Sequence, residues 1–325
     1  MRDAWPKFEE EGVRLLAISY DDQQVLREFT EKQNIPFPLL SDIDSEVIRR
    51  YGILNEQVKP GDAFLYGIPY PGAFVVDENG VVVAKFFHDS YKKRDSPELY
   101  LDAARVRITI EADAPIARGG EEEGVSLEVA MHGGRGTLRQ GMRREILVRF
   151  QLADGVHVYG NPVPDGMVPV SIEVDGPEGL VVEPEIGPQT SPLTVAAIGL
   201  ELSVWSGDVY FRIPVYATGA LASETRPLDQ DSVRIAVRVR YQACTDEVCL
   251  LPRDEAFELE VPLDVCDVPS LPMHNGHGQR EGNFKALPHA LRLLRRKILP
   301  HPIGALRFLV RNIRLELAAR RRRSD

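Results

Sequence analysis

The residues whose type and spacing point most directly to chemistry are cysteines, and this chain of 325 residues has three: Cys244, Cys249 and Cys266. Three cysteines do not make a disulfide framework for a chain of this length. Two of them stand close together in Tyr241-Gln-Ala-Cys-Thr-Asp-Glu-Val-Cys249. The segment ends one strand, turns, and leads into another from Ala256. The four-residue gap therefore predicts a short hairpin-like loop in which the two Cβ atoms approach to about 4 Å, as a disulfide requires. The residues leave three readings open: a pair that exchanges between dithiol and disulfide, a structural staple, or two inert thiols. A zinc site lacks its second pair of ligands, because His274 and His277 lie in a Gly/Asn-rich stretch. Cys266, at the end of the domain, reads as a bystander. The carboxylates of Asp246 and Glu247 disfavour a thiolate within the loop, and so slow its attack unless the disulfide form is the one that reacts. Asp21-Asp22 reads as a turn and helix N-cap rather than an acid/base pair.

The elements that must position this loop follow from the hydrophobic pattern. Residues 1–106 alternate between helix and strand. Trp5–Glu11 is helical, Val13–Tyr20 an apolar strand, Gln23–Gln33 an amphipathic helix, and Ser45–Tyr51 a helix stopped near Gly52. Phe74–Phe87 is a hairpin turned at Asn79-Gly80. A closing helix starts at Ser96, with Pro97 in its first position. Residues 107–124 read as a linker, polar and glycine-rich from 112 onward. The period then changes from 3.6 to 2 over residues 125–265. Seven strands follow, at Ser126–Val129, Glu145–Leu152, Val168–Val174, Leu193–Val204, Val209–Val215, Ser232–Tyr241 and Ala256–Val261. Short strands at this spacing, separated by turn clusters, predict an antiparallel β-sandwich. Residues 266–284 are a second linker, and 285–325 are two basic amphipathic helices broken by Pro300 and Pro302. The expected fold is an α/β domain followed by an all-β sandwich and a basic helical tail.

Net charge is −10, yet Lys and Arg dominate from Lys285 onward, at Arg292, Arg295, Arg296, Arg307, Arg311, Arg314 and Arg320–Arg323 among others. The body is therefore more acidic than the total, which argues against nucleic-acid binding. The tail lacks the aromatic platform of a single-strand binder. Its basic amphipathic helices suit an anionic membrane surface. No run of about 18 apolar residues occurs, so the sequence offers no spanning helix. The first residues have no apolar core, so they do not read as a secretory signal. Either the protein is cytoplasmic or its export signal lies outside this chain. No cofactor or metal is expected.

Two resemblances sharpen this reading. Gly12–Asp21, Phe37-Pro-Leu-Leu-Ser-Asp42, Arg50-Tyr-Gly-Ile53 and Gly67-Ile-Pro-Tyr-Pro-Gly-Ala-Phe-Val-Val-Asp77 resemble the thioredoxin-like redoxin family (AhpC/TSA), over about residues 1–105. The resemblance implies a thioredoxin-like fold. In that family a strand and a turn carrying the reactive cysteine precede the helix matching Trp5–Glu11. This chain starts inside that helix and has no cysteine before Cys244. The resemblance thus implies an amino-terminal truncation or, alternatively, a redoxin that has lost its nucleophile and scaffolds a partner. It implies no peroxidase activity by this chain alone. Tyr70-Pro71 resembles the cis-proline of thioredoxin-type folds, which shapes the partner groove; the alternative is that Pro71 merely opens a strand. Tyr-Gln-Ala-Cys244…Val-Cys249-Leu-x-Pro, with Ala153–Tyr159 and Trp205-Ser-Gly207, resembles the amino-terminal domain of the thiol:disulfide interchange protein DsbD, an immunoglobulin-like domain, over about residues 125–265. That resemblance implies a relay through Cys244 and Cys249 between a membrane redox protein and thioredoxin-like partners. It makes Cys249 the point of entry and implies work outside the cytoplasm. The competing expectation is a non-catalytic scaffold with a structural disulfide.

Overall fold

The computed structural model describes residues 1–58, 67–88, 92–122, 124–195, 200–223, 230–245 and 247–265, with isolated positions elsewhere. The second linker with Cys266, His274 and His277, the basic tail apart from a few positions, and Asp246 lie outside the described residues. The chain divides into two compact units. One comprises residues 1–112 with 132–135 and 142–144, and the other residues 113–131, 136–141 and 145 onward.

The first unit contains α1 (Trp5–Glu10), β1 (Ala17–Ser19), α2 (Gln23–Gln33), β2 (Leu39–Ser41), α3 (Glu46–Arg50), β3 (Gly72–Val76), β4 (Val82–Phe87), β5 (Arg94–Asp95) and α4 (Pro97–Arg105). Each α-helix turns apolar residues inward: Phe8, Leu26, Ile48 and Leu99 are buried. Asp22 caps α2 by accepting from the Gln24 N–H at 2.7 Å, which makes it the predicted structural residue. The short α3 is held by Asp42, whose carboxylate accepts from the N–H groups of Val47 and Ile48. Gly80 takes φ +79° in the β3–β4 turn, a conformation that costs glycine nothing. β1 pairs in parallel with β2, and β3 antiparallel with β4. Among the described residues no ladder joins β1 to β3, and each pair is a two-stranded sheet. Only Ala17–Ser19 of the predicted Val13–Tyr20 strand is extended in a ladder.

Pro71 departs from one expectation. The Tyr70–Pro71 peptide is trans; the cis peptide among the described residues is Asn161–Pro162. Before Pro71, Tyr70 N–H donates to the Ile53 carbonyl at 2.6 Å and Leu54 bridges Pro69. The chain then runs extended into β3, so Pro71 occupies a strand entry where no ladder donor is needed.

The second unit is built from β6 (Ile116–Glu122), β7 (Val125–His132), β8 (Met142–Leu152), β9 (His157–Tyr159), β10 (Ser171–Asp175), β11 (Leu180–Val182), β12 (Ser191–Val195), β13 (Leu200–Ser206), β14 (Asp208–Ala217), α5 (Gly219–Ala222), β15 (Ser232–Tyr241), β16 (Ala243–Cys244) and β17 (Arg253–Pro262). Among the described residues these strands form three sheets, with strand orders β10-β15-β17, β11-β14-β8-β7-β6 and β12-β13-β9-β16. Period-2 alternation dictates the packing. On β15, Val233, Ile235, Val237, Val239 and Tyr241 are buried while Arg234, Ala236, Arg238 and Arg240 face solvent. They meet Phe150, Phe211, Phe257 and Leu259 in one core, each such side chain contributing about 1.5–3 kcal/mol by burial. Phe150 meets Phe211 and Tyr241 edge-on at 5.7 and 5.4 Å. Glu145, 1% exposed, is neutralised by a bidentate bond from Arg212 at 2.7 and 2.9 Å.

The short strands β9, β11 and β16 are not among the expected ones, and two longer segments differ from the pattern-based reading. Residues 116–122, read as part of a linker, form β6 against β7. The glycines there serve close packing: a Cβ on Gly119 would stand 3.0 Å from the Phe257 ring, and one on Gly120 3.2 Å from Leu127. Leu193–Val204, read as one strand, is the antiparallel pair β12–β13 with Leu193 opposite Leu202.

Candidate functional site

Cys244 and Cys249 are joined in a disulfide, with their Cα atoms 4.1 Å apart. They face each other as an antiparallel bridge at the tip of the loop between β15 and β17. The loop closes itself. Leu250 N–H donates to the Ala243 carbonyl at 2.9 Å, and Thr245 N–H to the Val248 carbonyl at 2.8 Å. The Thr245 hydroxyl accepts from the Val248 and Glu247 N–H groups at 3.0 and 3.3 Å, which fixes the turn. The Thr245 side chain closes the turn between the cysteines, and the Cys-x₄-Cys spacing lets that turn bring the sulfurs together.

The two sulfurs sit in different surroundings. Cys244 is completely buried against Tyr159, Leu202 and Val204, with Val163, Met167 and Leu193 packed on the same cluster. Cys249 is exposed, as are its neighbours Val248 (58%) and Leu251 (83%). The asymmetry follows from the topology. Cys244 is part of β16, which pairs with β9 and places Cys244 opposite His157. Cys249 lies past the turn, on the outer arm of the loop.

β9 brings two polar side chains to the disulfide. The Tyr159 hydroxyl lies 3.5 Å from the Cys249 sulfur, and His157 Nε2 lies 3.4 Å from that hydroxyl. The His157 and Tyr159 rings meet edge-on at 5.3 Å. Burial pushes the Tyr159 phenol up, so it is a protonated donor at neutral pH. Neither residue stands out as a site residue from the cysteine spacing. Two signals are available: the resemblance over Ala153–Tyr159, and alternation, by which His157 and Tyr159 share one face of a strand with Val158 on the other. Gln242, also buried, accepts from the Val168 N–H and donates to the Leu250 carbonyl, both at 3.0 Å.

Of the other predicted positions, Tyr70 and Pro71 belong to the first unit, which contains no cysteine. Among the described residues no group of three or more His, Cys, Asp or Glu side chains is arranged to hold a metal ion. Among them, too, no helix is long and apolar enough to cross a membrane.

Comparison with known proteins assigns the two parts separately. Residues 1–85 match the AhpC/TSA family. Residues 135–261 match the N-terminal domain of the thiol:disulfide interchange protein DsbD. Curated relatives cover about a quarter to a third of the chain. The peroxiredoxin bcp of Coxiella burnetii is 36% identical over 26% of this chain and 54% of its own. Chloroplastic peroxiredoxin Q of Arabidopsis thaliana is 33% identical over 31% and 41%. The thiol-disulfide oxidoreductase ResA of Bacillus cereus is 25% identical over 29% and 47%. The chain thus spans about half, or less, of the length of these relatives. Among solved structures, the N-terminal periplasmic domain of ScsB from Proteus mirabilis aligns with a TM-score of 0.31 at 19% identity, covering 45% of this chain and 50% of that one. The reduced DsbD N-terminal domain of Neisseria meningitidis aligns with a TM-score of 0.25 at 18% identity, covering 36% and 77%. A thioredoxin-like domain is therefore followed by a DsbD N-terminal-like, immunoglobulin-like domain, and the chain's relatives are redoxins and thiol-disulfide oxidoreductases.

Proposed function

We propose that the second unit is a thiol-disulfide exchange module that passes electron pairs through Cys244 and Cys249, with Cys249 as the sulfur that meets the partner. The observation that carries this is the unequal access to one bond: Cys249 is exposed while Cys244 is wholly buried. A thiolate needs an open approach to the sulfur it attacks. A partner dithiol therefore attacks Cys249. The Cys244–Cys249 bond breaks, its electron pair leaves on Cys244, and that sulfur takes up a proton. The partner's second thiolate then attacks the partner sulfur of the mixed disulfide and releases Cys249 as a thiolate. The partner ends as a disulfide and the module as a dithiol. Run in reverse, the same steps reduce a partner disulfide.

Tyr159 suits this cycle, because its hydroxyl faces the sulfur that carries negative charge when Cys249 is released. A hydrogen bond to a thiolate favours the charged form. It offsets the repulsion expected from Glu247 in the same loop. The partners are proteins with a reactive dithiol or disulfide, and a thioredoxin-like domain is the class that the match over residues 135–261 suggests. Residues 1–243 hold no cysteine, so the proposal rests on Cys244 and Cys249 alone.

The test is a redox titration of the full chain in glutathione buffers, with the peptides containing Cys244 and Cys249 followed by mass spectrometry. Exchange predicts a midpoint in the range of cellular dithiol proteins, roughly −120 to −270 mV. A midpoint below about −300 mV identifies a structural staple and overturns the proposal.

A further inference from the structure

Gln242 is a buried polar side chain for which the exchange steps above have no use. It sits two residues before Cys244, between the end of β15 and the start of β16. Its amide nitrogen donates to the carbonyl of Leu250, the residue after Cys249, and its amide oxygen accepts from the N–H of Val168. Only one orientation of the amide serves both partners, since one is a donor and the other an acceptor. Leu250 N–H is bound to Ala243, so both polar backbone groups of Leu250 are tied to the arm that carries Cys244. Val168 follows Met167, which packs on the cluster around Cys244. One side chain thus joins three pieces of backbone: the arm of the buried cysteine, the arm of the exposed one, and the segment that covers the buried sulfur.

We propose that Gln242 is a positioning residue for the disulfide: its amide clamps the neck of the loop, so that the two sulfurs stay within bond-forming distance after the S–S bond is broken. The inference rests on the exchange reading and adds to it what sets the poise of the pair. In the disulfide form the covalent bond holds the arms together by itself. In the dithiol form the Thr245–Val248 hydrogen bond remains on an exposed turn, of a kind that has little stability alone, and the Leu250–Ala243 bond ties that turn to the buried arm. The buried clamp keeps that turn closed. It raises the effective concentration of one thiol at the other and favours the oxidised form. Loss of the clamp lets the dithiol loop open and makes the disulfide easier to reduce.

The experiment equilibrates the full chain with glutathione, in which two glutathione thiols become one glutathione disulfide while Cys244 and Cys249 become thiols. The wild type is compared with Gln242→Leu, which keeps bulk and loses both hydrogen bonds. The expected result is an equilibrium constant about tenfold more favourable to reduction in the variant, a midpoint about 30 mV less negative for this two-electron couple. A change below twofold, in a variant whose oxidised form unfolds as cooperatively as wild type, overturns the clamp. A second measurement needs no variant: hydrogen exchange of the Leu250 amide in the reduced wild-type chain. Protection at least tenfold above that of an unstructured peptide is expected, and exchange at the unstructured rate overturns the proposal. The two ideas fail separately. The wild-type midpoint alone tests the exchange reading, whereas the variant-to-wild-type ratio and the Leu250 amide test the clamp.

Discussion

Replacing each cysteine in turn isolates one sulfur at a time and measures the asymmetry on which the exchange reading depends. In Cys244→Ser the remaining thiol is Cys249, on the exposed arm of the loop. In Cys249→Ser it is Cys244, covered by Tyr159, Leu202 and Val204 with Val163, Met167 and Leu193 around them. A reagent reaches Cys244 only after part of that cover lifts, exposing on the order of 100 Å² of apolar surface. At about 25 cal/mol per Å² this opening costs about 2.5 kcal/mol. With 1.4 kcal/mol per factor of ten, the population of the open form is then on the order of one part in a hundred. Alkylation by iodoacetamide at pH 8 should accordingly be on the order of 100-fold faster for Cys249 in the first variant than for Cys244 in the second. Rates are read peptide by peptide, so that Cys266 does not enter the comparison. With a disulfide-bearing partner, Cys244→Ser should accumulate a mixed disulfide, because the sulfur that would resolve it is gone. A rate ratio below about five refutes the reasoning from burial.

Further outcomes follow from other contacts. Tyr159→Phe keeps the ring and removes the donor, so the alkylation pH profile of Cys249 should move up by about half to one pH unit, the value of one hydrogen bond; an unmoved profile removes Tyr159 from the chemistry. Burial works to raise the Glu98 carboxyl, but bonds from its own backbone N–H and that of Gly134, with Lys7 at 3.0 Å, outweigh it and hold it at about 2. Its folded value lies below the unfolded one of about 4.5, so its contribution, on the order of 3 kcal/mol, is complete above about pH 4.5 and is lost as pH falls toward 2. Exchange protection of α4 should therefore fall over that range, and Glu98→Gln should flatten the profile; an equal acid loss in the variant would contradict the assignment. Phe150→Ala empties a fully buried site between two rings and should lower stability by about 3–5 kcal/mol in a urea titration; a loss below 1 kcal/mol would mean that the core there collapses without cost.

What could be read in the sequence was set by how local each determinant is. The Asn79-Gly80 turn, the Asp22 cap and the alternation of β15 are written in neighbouring residues, and each appears where the pattern puts it. The cysteine loop was legible for the same reason, since turn and spacing lie in one short segment. Gly119 and Gly120 were misleading because a glycine read alone signals freedom. Here they let Phe257 and Leu127, distant in sequence, come close. β12 and β13 were merged because apolar residues run from Leu193 to Val204 with few breakers. Pro71 followed the resemblance, whereas the trans peptide follows the strand it enters. His157, Tyr159 and Gln242 lie in segments that carry the second resemblance, but no role for them is legible there, because their roles exist only once β9 pairs with β16 and the loop folds back on its own neck.

The ladder beneath the loop sets what the loop itself can tolerate. β15 and β17 pair residue for residue from Ser232–Pro262 to Tyr241–Arg253, without a bulge. Residues 245–252 are therefore the outer part, or tip, of a loop on a stiff ribbon whose ends are held in place by ten consecutive pairs, while Gln242–Cys244 are anchored in the domain. Lengthening such a tip by about four residues adds only about 0.3 kcal/mol of closure entropy. Residues at the tip, Val248 and Leu251 above all, are thus free to be exchanged in search of new partners while the ribbon keeps the domain folded. The clamp at the neck is the exception: a graft that carries the cysteines but omits Gln242 takes the reactive bond and leaves behind what sets its poise.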